Sequence, residues 1–191
     1  MHETIQELLA DLGIQPEYTN PVLQQLGIAD SKYLRDLKLN IKAVLASEHL
    51  SAKEANLLAL AISTNNNKDL LSNAFTAKAK EHGASDAELA EVQACASLLS
   101  ANNVLYRFRH FVEKETYNNA PARLRMNIMM NPVLGKEFFE LVSLAVSAVN
   151  GCEMCVKSHE QSVLQQGGTE SRIWDAIRIS SIVTSLGKVV Y

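Results

Sequence analysis

The chain has 191 residues, of which 47% are hydrophobic and 20% charged, a composition that supports one sizeable core and excludes a disordered chain. The formal net charge of -3 argues against a nucleic-acid partner, because such partners usually meet a strongly basic surface. We expect no secretory signal, because the first residues lack a basic region followed by an apolar stretch, and no apolar run has bilayer-spanning length. We therefore expect a cytoplasmic protein that does not enter a membrane.

Helical periodicity runs through almost the whole chain, and no run alternates in the way that is typical of a half-buried strand. Apolar residues recur at spacings of three and four, which is the pattern of amphipathic helices packed on a core. The first two apolar stripes consist of Ile5, Leu8, Leu9 and Leu12, and of Tyr33, Leu34, Leu37, Ile41, Val44 and Leu45. The sequence therefore predicts an all-α protein of roughly nine or ten helices.

Several helix starts can be located from capping signals. Ser51 and Ser85 each stand three residues before a Glu, which is the pattern of a capping box. Asn20 precedes Pro21, so we expect it to cap a helix whose first residue is proline. Thr169 follows two glycines and is predicted to cap the last helix.

Comparison of the sequence with itself indicates an internal repeat at an offset of about 83 to 85 residues. Each copy has an apolar helix, a turn, a second helix, a glycine break and a capped third helix. We therefore expect one domain over 1–191, which consists of N-terminal helices (1–50) and two repeat units (about 51–106 and about 134–191).

The three cysteines fall into two classes. Cys95 lies in an apolar run and is predicted to be a small, buried packing residue. Cys152 and Cys155 form a C-x-x-C pair directly after the helix-breaking Asn150 and Gly151. Cys152 is thus predicted at or near a helix N-cap, where free N–H groups and the helix dipole favour a thiolate.

His159 and Glu140 complete the candidate site. His159 follows Cys155 by four residues, which puts both side chains on one helix face. If the helices flanking the turn fold back on each other, Glu140 comes level with His159 and increases the basicity of its imidazole. The residues therefore predict a base-assisted nucleophile, Cys155, with Cys152 as the resolving thiol.

The first repeat unit lacks this chemistry. The residues predicted to match the two cysteines and the histidine are Asp69, Ser72 and Thr76. We therefore expect the first unit to be a scaffold. A structural zinc site needs four closely spaced ligands, and the other histidines do not supply a partner pair, so no metal is predicted.

The segment from Glu140 to His159 resembles the alkyl hydroperoxidase D (AhpD) family of the carboxymuconolactone decarboxylase-like superfamily. The spacing of Glu140, Cys152, Cys155 and His159 matches the catalytic pattern of that family. The resemblance implies an all-α fold of two pseudo-repeated units. It also implies a thiol-dependent hydroperoxide reductase or disulfide reductase that serves antioxidant defence. It further implies that Cys155 becomes a sulfenic acid, that Cys152 closes a disulfide with it, and that Glu140 and His159 relay protons.

The resemblance also implies how the site is supplied. Organic hydroperoxide or hydrogen peroxide would be the oxidant, no cofactor would be bound, and an external dithiol such as a lipoyl group would be the reductant. A lipoylated protein and a peroxiredoxin are implied as partners, and a homo-oligomer, either a trimer or a hexamer, as the assembly. Met154 is a departure, because well-studied members carry a histidine there that takes part in proton transfer.

Two alternatives use the same residues differently. In the first, a non-peroxidatic protein of the superfamily uses the thiols as a redox sensor or a metal clip. In the second, the chain is a non-redox, decarboxylase-like enzyme of the superfamily. The cysteine pair argues against the second alternative, because that chemistry does not need it.

Overall fold

The computed structural model describes residues 2–191, and in this range it contains α-helices, one 3₁₀ turn at Asn127–Met129 and no β-strand. The helices are α1 (Glu3–Asp11), α2 (Pro21–Ile28), α3 (Lys32–Leu45), α4 (Ala52–Asn65), α5 (Asp69–Glu81), α6 (Asp86–Val112), α7 (Glu115–Asn119), α8 (Lys136–Val149), α9 (Glu153–Gln165) and α10 (Glu170–Leu186). The prediction of an all-α fold is confirmed. None of the helices within residues 2–191 has both the length and the apolar character that crossing a bilayer requires.

Helices α4 and α8 form the centre of the protein. They pack against each other, and both also contact α6 and α10. Every residue of α4 from 55 to 63 is buried, and so is every residue of α8 from 138 to 147 except Glu140. A helix that is enclosed on all sides makes a rigid support. The outer helices α5 and α9 pack on α4 and α8 respectively, so α9 is held against this central layer.

The predicted helix caps are confirmed. Ser51 and Ser85 each form a complete capping box with the Glu three residues later. Asn20 and Thr169 accept hydrogen bonds from backbone N–H groups of the turns that they cap. Each cap satisfies an N–H group that has no partner inside its helix, and this fixes the residue at which the helix begins.

The predicted apolar stripes are confirmed except at Tyr33. Ile5, Leu8, Leu9 and Leu12 are all at most 3% exposed. Tyr33, in contrast, is 40% exposed, and its hydroxyl lies 2.5 Å from Ser185 Oγ. An aromatic ring with a polar end can satisfy the helical spacing and still lie at the protein surface.

Three helices recur along the chain at one constant spacing. Helices α8, α9 and α10 each begin 84 residues after α4, α5 and α6, at Lys136, Glu153 and Glu170 against Ala52, Asp69 and Asp86. The backbone follows the same rule. Asn67 and Gly151 lie at matching positions before α5 and α9, and both have positive φ, 53° and 69°.

This spacing corrects the predicted matches for the candidate site by one position. The residues predicted to match the cysteines and the histidine are Asp69, Ser72 and Thr76. At a spacing of 84 the matching residues are instead Lys68, Leu71 and Phe75. Phe75 is fully buried, so a core aromatic ring occupies the position that His159 has in the second unit.

Charged side chains link the helix starts at matching positions, but with opposite signs. In the first unit Lys53 Nζ donates to Glu88 Oε1 at 2.7 Å. In the second unit Arg172 donates to both carboxylate oxygens of Glu137 at 3.0 Å. Arg172 also donates to Glu54 at 2.7 Å, and because Glu54 belongs to the first unit, this guanidinium joins the two units.

Two buried carboxylates at matching positions hold the loops that lead into the central helices. Glu91 accepts from two backbone N–H groups of the loop before α8, at 2.8 and 2.7 Å. Asp175 is one methylene shorter and acts through Ser47. The hydroxyl of Ser47 donates to Asp175 at 2.7 Å and accepts from two N–H groups of the loop before α4, at 3.1 and 3.0 Å. Burial would raise the pKa of Asp175, but hydrogen bonds from Ser47 and Arg178 outweigh it and lower that pKa.

Candidate active site

The two cysteines lie at the turn between α8 and α9. Gly151 has a φ of 69°, which reverses the chain after α8. Cys152 is the N-cap of α9, as predicted, and its N–H donates to the Ser147 carbonyl at 3.0 Å. Cys155 lies in the first turn of α9, where N–H groups without helical partners and the positive end of the helix dipole favour a negative sulfur.

The structure contains the pair as a disulfide. The Cys152 and Cys155 sulfurs are bonded, and their Cα atoms are 5.3 Å apart. Both residues are buried, but unequally, since 7% of Cys155 and only 1% of Cys152 is exposed to solvent. Of the two, Cys155 is the one that lines a cavity. The two sulfurs thus differ in their access to small molecules.

The structure brings Glu140 and His159 together. Helices α8 and α9 run back along each other from the turn, and Nδ1 of His159 lies 2.6 Å from Oε2 of Glu140. The side chains of His159 and Glu140 are only 12% and 19% exposed, so water screens their interaction weakly. When the Glu140 carboxylate accepts a hydrogen bond from Nδ1–H, Nε2 carries the free lone pair of the ring and can accept a proton.

A cavity of about 360 Å³ adjoins Cys155 and His159. It is large enough for a small organic molecule. The residues that line it are Leu99, Asn102, Tyr106, Met126, Met129, Met154, Cys155, Ser158 and His159. Because three of them are methionines, much of the wall is flexible, polarisable and apolar. The arrangement suits a substrate that has an organic group beside its reacting atoms.

A network of side-chain amides holds the turn between α8 and α9 in place. The amide of Asn150 exchanges hydrogen bonds with Asn65 at 2.9 and 3.1 Å and donates to Asn103 at 2.9 Å. Asn103 in turn donates to Ser147 at 2.9 Å, and Arg107 donates to the Asn150 carbonyl. The turn before Cys152 is therefore fixed by α4 and α6 as well as by its own backbone.

Cys95 is confirmed as a packing residue. It is fully buried, and its sulfur lies 3.4 Å from the Ser143 hydroxyl. Burial raises the pKa of its thiol to about 12, so it stays protonated and unreactive at neutral pH. No group of three or more His, Cys, Asp or Glu side chains within residues 2–191 is arranged to hold a metal ion.

Most of the cavity wall is not predicted by the sequence. Asn102 and Tyr106 come from α6, and Met126 and Met129 come from the segment between α7 and α8. The basic residues near the end of α6 have the pattern of a solvated helix face, but Arg107 supports the site turn from there. The sequence did contain a signal for this part of the site, since Asn102 and Asn103 interrupt the apolar face of a long helix. The structure shows that both are buried.

A family model covers most of the chain. The carboxymuconolactone decarboxylase family model matches residues 32–113 and 115–189. In three dimensions, the chain is similar to the crystal structure of a protein assigned as a gamma-carboxymuconolactone decarboxylase subunit from Burkholderia xenovorans. That likeness has a TM-score of 0.68, covers 96% of this chain and 91% of the other, and comes with 16% sequence identity. The chain belongs to the carboxymuconolactone decarboxylase family.

Curated relatives narrow the assignment within the family. The chain is 44% identical over 149 residues to the alkyl hydroperoxide reductase AhpD of Anaeromyxobacter dehalogenans, which covers 78% of this chain and 80% of the relative. It is 38% identical over 161 residues to the protein of that name from Coxiella burnetii, and the aligned region covers 82% of this chain and 90% of that relative. The relative from Rhodopseudomonas palustris is 39% identical over 156 residues. The branch of the family is therefore that of the AhpD proteins.

Proposed function

We propose that the protein is a dithiol-dependent hydroperoxide reductase in which Cys155 attacks the peroxide and Cys152 resolves the product. The observation that carries the proposal is that Cys155 lines the cavity together with His159, whereas Cys152 is only 1% exposed and is not among the lining residues. The name alkyl hydroperoxide reductase of the relatives supports an oxidoreductase that acts on peroxide.

The proposed reaction begins with proton transfer. His159 takes the thiol proton of Cys155 on Nε2, and the carboxylate of Glu140 stabilises the resulting imidazolium through Nδ1. The Cys155 thiolate then attacks the terminal oxygen of ROOH. The O–O bond breaks, RO⁻ takes the proton back from His159 and leaves as an alcohol, and Cys155 becomes a sulfenic acid.

Cys152 completes the cycle. Its thiol attacks the Cys155 sulfur, the S–S bond forms, and the hydroxyl group leaves with the thiol proton as water. An external dithiol then reduces the disulfide to two thiols and is itself oxidised to a disulfide. The relay in this proposal consists of Glu140 and His159 alone, because the thioether of Met154 cannot carry a proton.

The resemblance to the family supports a proposal for the reductant and for the assembly. We propose that the dithiol is a lipoyl group carried by a partner protein, and that electrons can pass onward to a peroxiredoxin. A homo-oligomer, either a trimer or a hexamer, belongs to the same proposal. A cytoplasmic location fits it, because reduced dithiols are maintained in that compartment.

Hydroperoxide consumption by the reduced protein tests the proposal. The assay supplies tert-butyl hydroperoxide, with dihydrolipoamide as the reductant. We expect Cys155→Ser to abolish turnover. Reduced Cys152→Ser, freed of dithiol, should consume one equivalent of peroxide and leave a sulfenic acid that dimedone traps. Cys95→Ser is the matched control and should keep full turnover, because that thiol is buried and protonated. Full turnover by Cys155→Ser would overturn the proposal.

A further inference from the structure

Asn102 presents an unsatisfied hydrogen-bond acceptor at the candidate active site. The residue lies on α6, is 5% exposed and lines the cavity beside Cys155 and His159. Its Oδ1 is buried and has no hydrogen-bond partner within residues 2–191. Three other described side-chain atoms share that property, in His2, Asn56 and Thr64, but none of those residues lines this cavity.

The orientation of the Asn102 amide follows from the one hydrogen bond that its side chain forms within residues 2–191. Nδ2 lies 3.2 Å from the sulfur of Met126, which also belongs to the cavity wall. A thioether is a weak acceptor and offers no proton, so the NH₂ end of the amide is the end that gains from facing it. The carbonyl oxygen is therefore the free end.

A buried acceptor without a partner destabilises a protein, because it has lost its hydrogen bond to water. A buried acceptor that lines a cavity can regain its hydrogen bond from a molecule inside that cavity. Neither Met126 nor any other described side chain supplies a donor for Oδ1. A ligand in the cavity that carries an O–H group would satisfy Oδ1 while its organic part contacts the thioethers.

We infer that Asn102 is a substrate-binding residue whose Oδ1 accepts a hydrogen bond from the terminal O–H of a bound hydroperoxide. The inference rests on the proposed function. That terminal oxygen is the atom that the Cys155 thiolate attacks, so the hydrogen bond holds the reacting oxygen beside the sulfur. As the O–O bond breaks, the OH group passes to sulfur and the alkoxide takes its proton from His159. Asn102 transfers no proton in this step.

A substrate-binding role of Asn102 predicts a change in the rate of reaction with peroxide but not in the rate of alkylation of Cys155. A merely structural role would change both rates together. Asn102→Leu has a similar volume but no acceptor, so it should slow the reaction of reduced protein with tert-butyl hydroperoxide by about 10-fold, which corresponds to one hydrogen bond. Alkylation of Cys155 by methyl iodoacetate should stay unchanged, because that reagent has no hydrogen-bond donor for Oδ1. The unfolding temperature of the reduced protein should not fall, since the substitution removes an unpaired buried acceptor.

Asn56→Leu is the matched control. Asn56 is also a buried asparagine with an unpaired Oδ1, but it lies on α4 and does not line the cavity. Both of its rates should equal those of the unmodified protein. If Asn102→Leu does not fold, the same two rates are measured on Asn102→Ala, because this substitution removes the acceptor without adding volume.

Three outcomes would overturn the inference. The first is a peroxide rate for the Asn102 variant equal to that of the unmodified protein, which would leave the proposed function intact. The second is an equal fall of the peroxide and alkylation rates, which would show a structural role. The third is an unmodified, reduced protein that does not react with peroxide, in which case the proposed function fails as well.

Discussion

Replacement of Glu140 by glutamine tests whether the carboxylate acts on the cysteine through His159. The Glu140 and His159 side chains are 2.6 Å apart at Oε2 and Nδ1, and both are largely buried. Glutamine has the same shape, so it can keep a hydrogen bond to Nδ1 but brings no charge. The change therefore isolates the electrostatic part of the interaction from packing.

The expected magnitude follows from the kind of hydrogen bond that is lost. A hydrogen bond to a charged group contributes about 1.5–3 kcal/mol and a neutral one about 1 kcal/mol, so the substitution should destabilise the imidazolium by about 0.5–2 kcal/mol. The fraction of Cys155 present as thiolate at neutral pH then falls, and rates that depend on this thiolate should fall roughly 2- to 30-fold.

Stopped-flow measurement of reduced Glu140→Gln with tert-butyl hydroperoxide gives the first rate, and alkylation by iodoacetamide gives the second. Both should decrease by the same factor, because both reagents react with the thiolate. Glu160→Gln is the matched control, since Glu160 follows His159 on α9 and forms no salt bridge within residues 2–191. If Glu140→Gln and the control react equally fast, the relay from Glu140 to Cys155 is refuted.

Two further predictions concern stability. Gly151 has a φ of 69° and open space where the Cβ of an alanine would lie, so Gly151→Ala should lower the free energy of unfolding by about 1 kcal/mol through the backbone alone. Gly151→Asn should cost less, because Asn67 already adopts a φ of 53° at the matching position, and urea unfolding ranks the variants. Hydrogen bonds from Lys53 and Ser85 lower the pKa of Glu88 from 4.5 to about 2. Its contribution to stability should be complete above pH 4.5 and lost as the pH falls towards 2, so Lys53→Met should lose less stability on acidification over that range.

The results that would contradict these predictions are specific. An alanine variant at least as stable as the protein with Gly151 would show that the turn does not require the left-handed backbone. An Lys53→Met variant that loses as much stability between pH 4.5 and 2 as the unmodified protein would show that another carboxylate dominates acid unfolding.

Local signals made the helix starts and the cysteine turn predictable. A capping box or an N-cap cysteine is read from a few neighbouring residues, and the backbone N–H groups that it satisfies lie in the same turn. Ser51, Ser85 and Cys152 are therefore where the sequence predicted them to be. Antiparallel pairing across a short turn likewise brings Glu140 to His159.

The cavity could not be predicted because its wall is assembled from distant segments. Asn102 and Met126 approach Cys155 only after α6 and the segment before α8 have packed on the central layer. Helical spacing reports which side of a helix is apolar, but not which neighbour covers that side. The alignment of the two repeat units was likewise wrong by one residue at the site, because their weak sequence identity does not fix the register. The positive φ angles of Asn67 and Gly151 fix it in the structure.

The reversed charges at the helix starts also bear on how the chain avoids misfolding. Misassembly between similar units is a characteristic failure of repeat proteins, and in this fold it would exchange α6 and α10. An exchange would bring Lys53 towards Arg172 and Glu88 towards Glu137, which sets like charges against each other. The correct pairing sets opposite charges together in both units. The sign of four side chains thus discriminates between helices that hydrophobicity alone would treat as interchangeable.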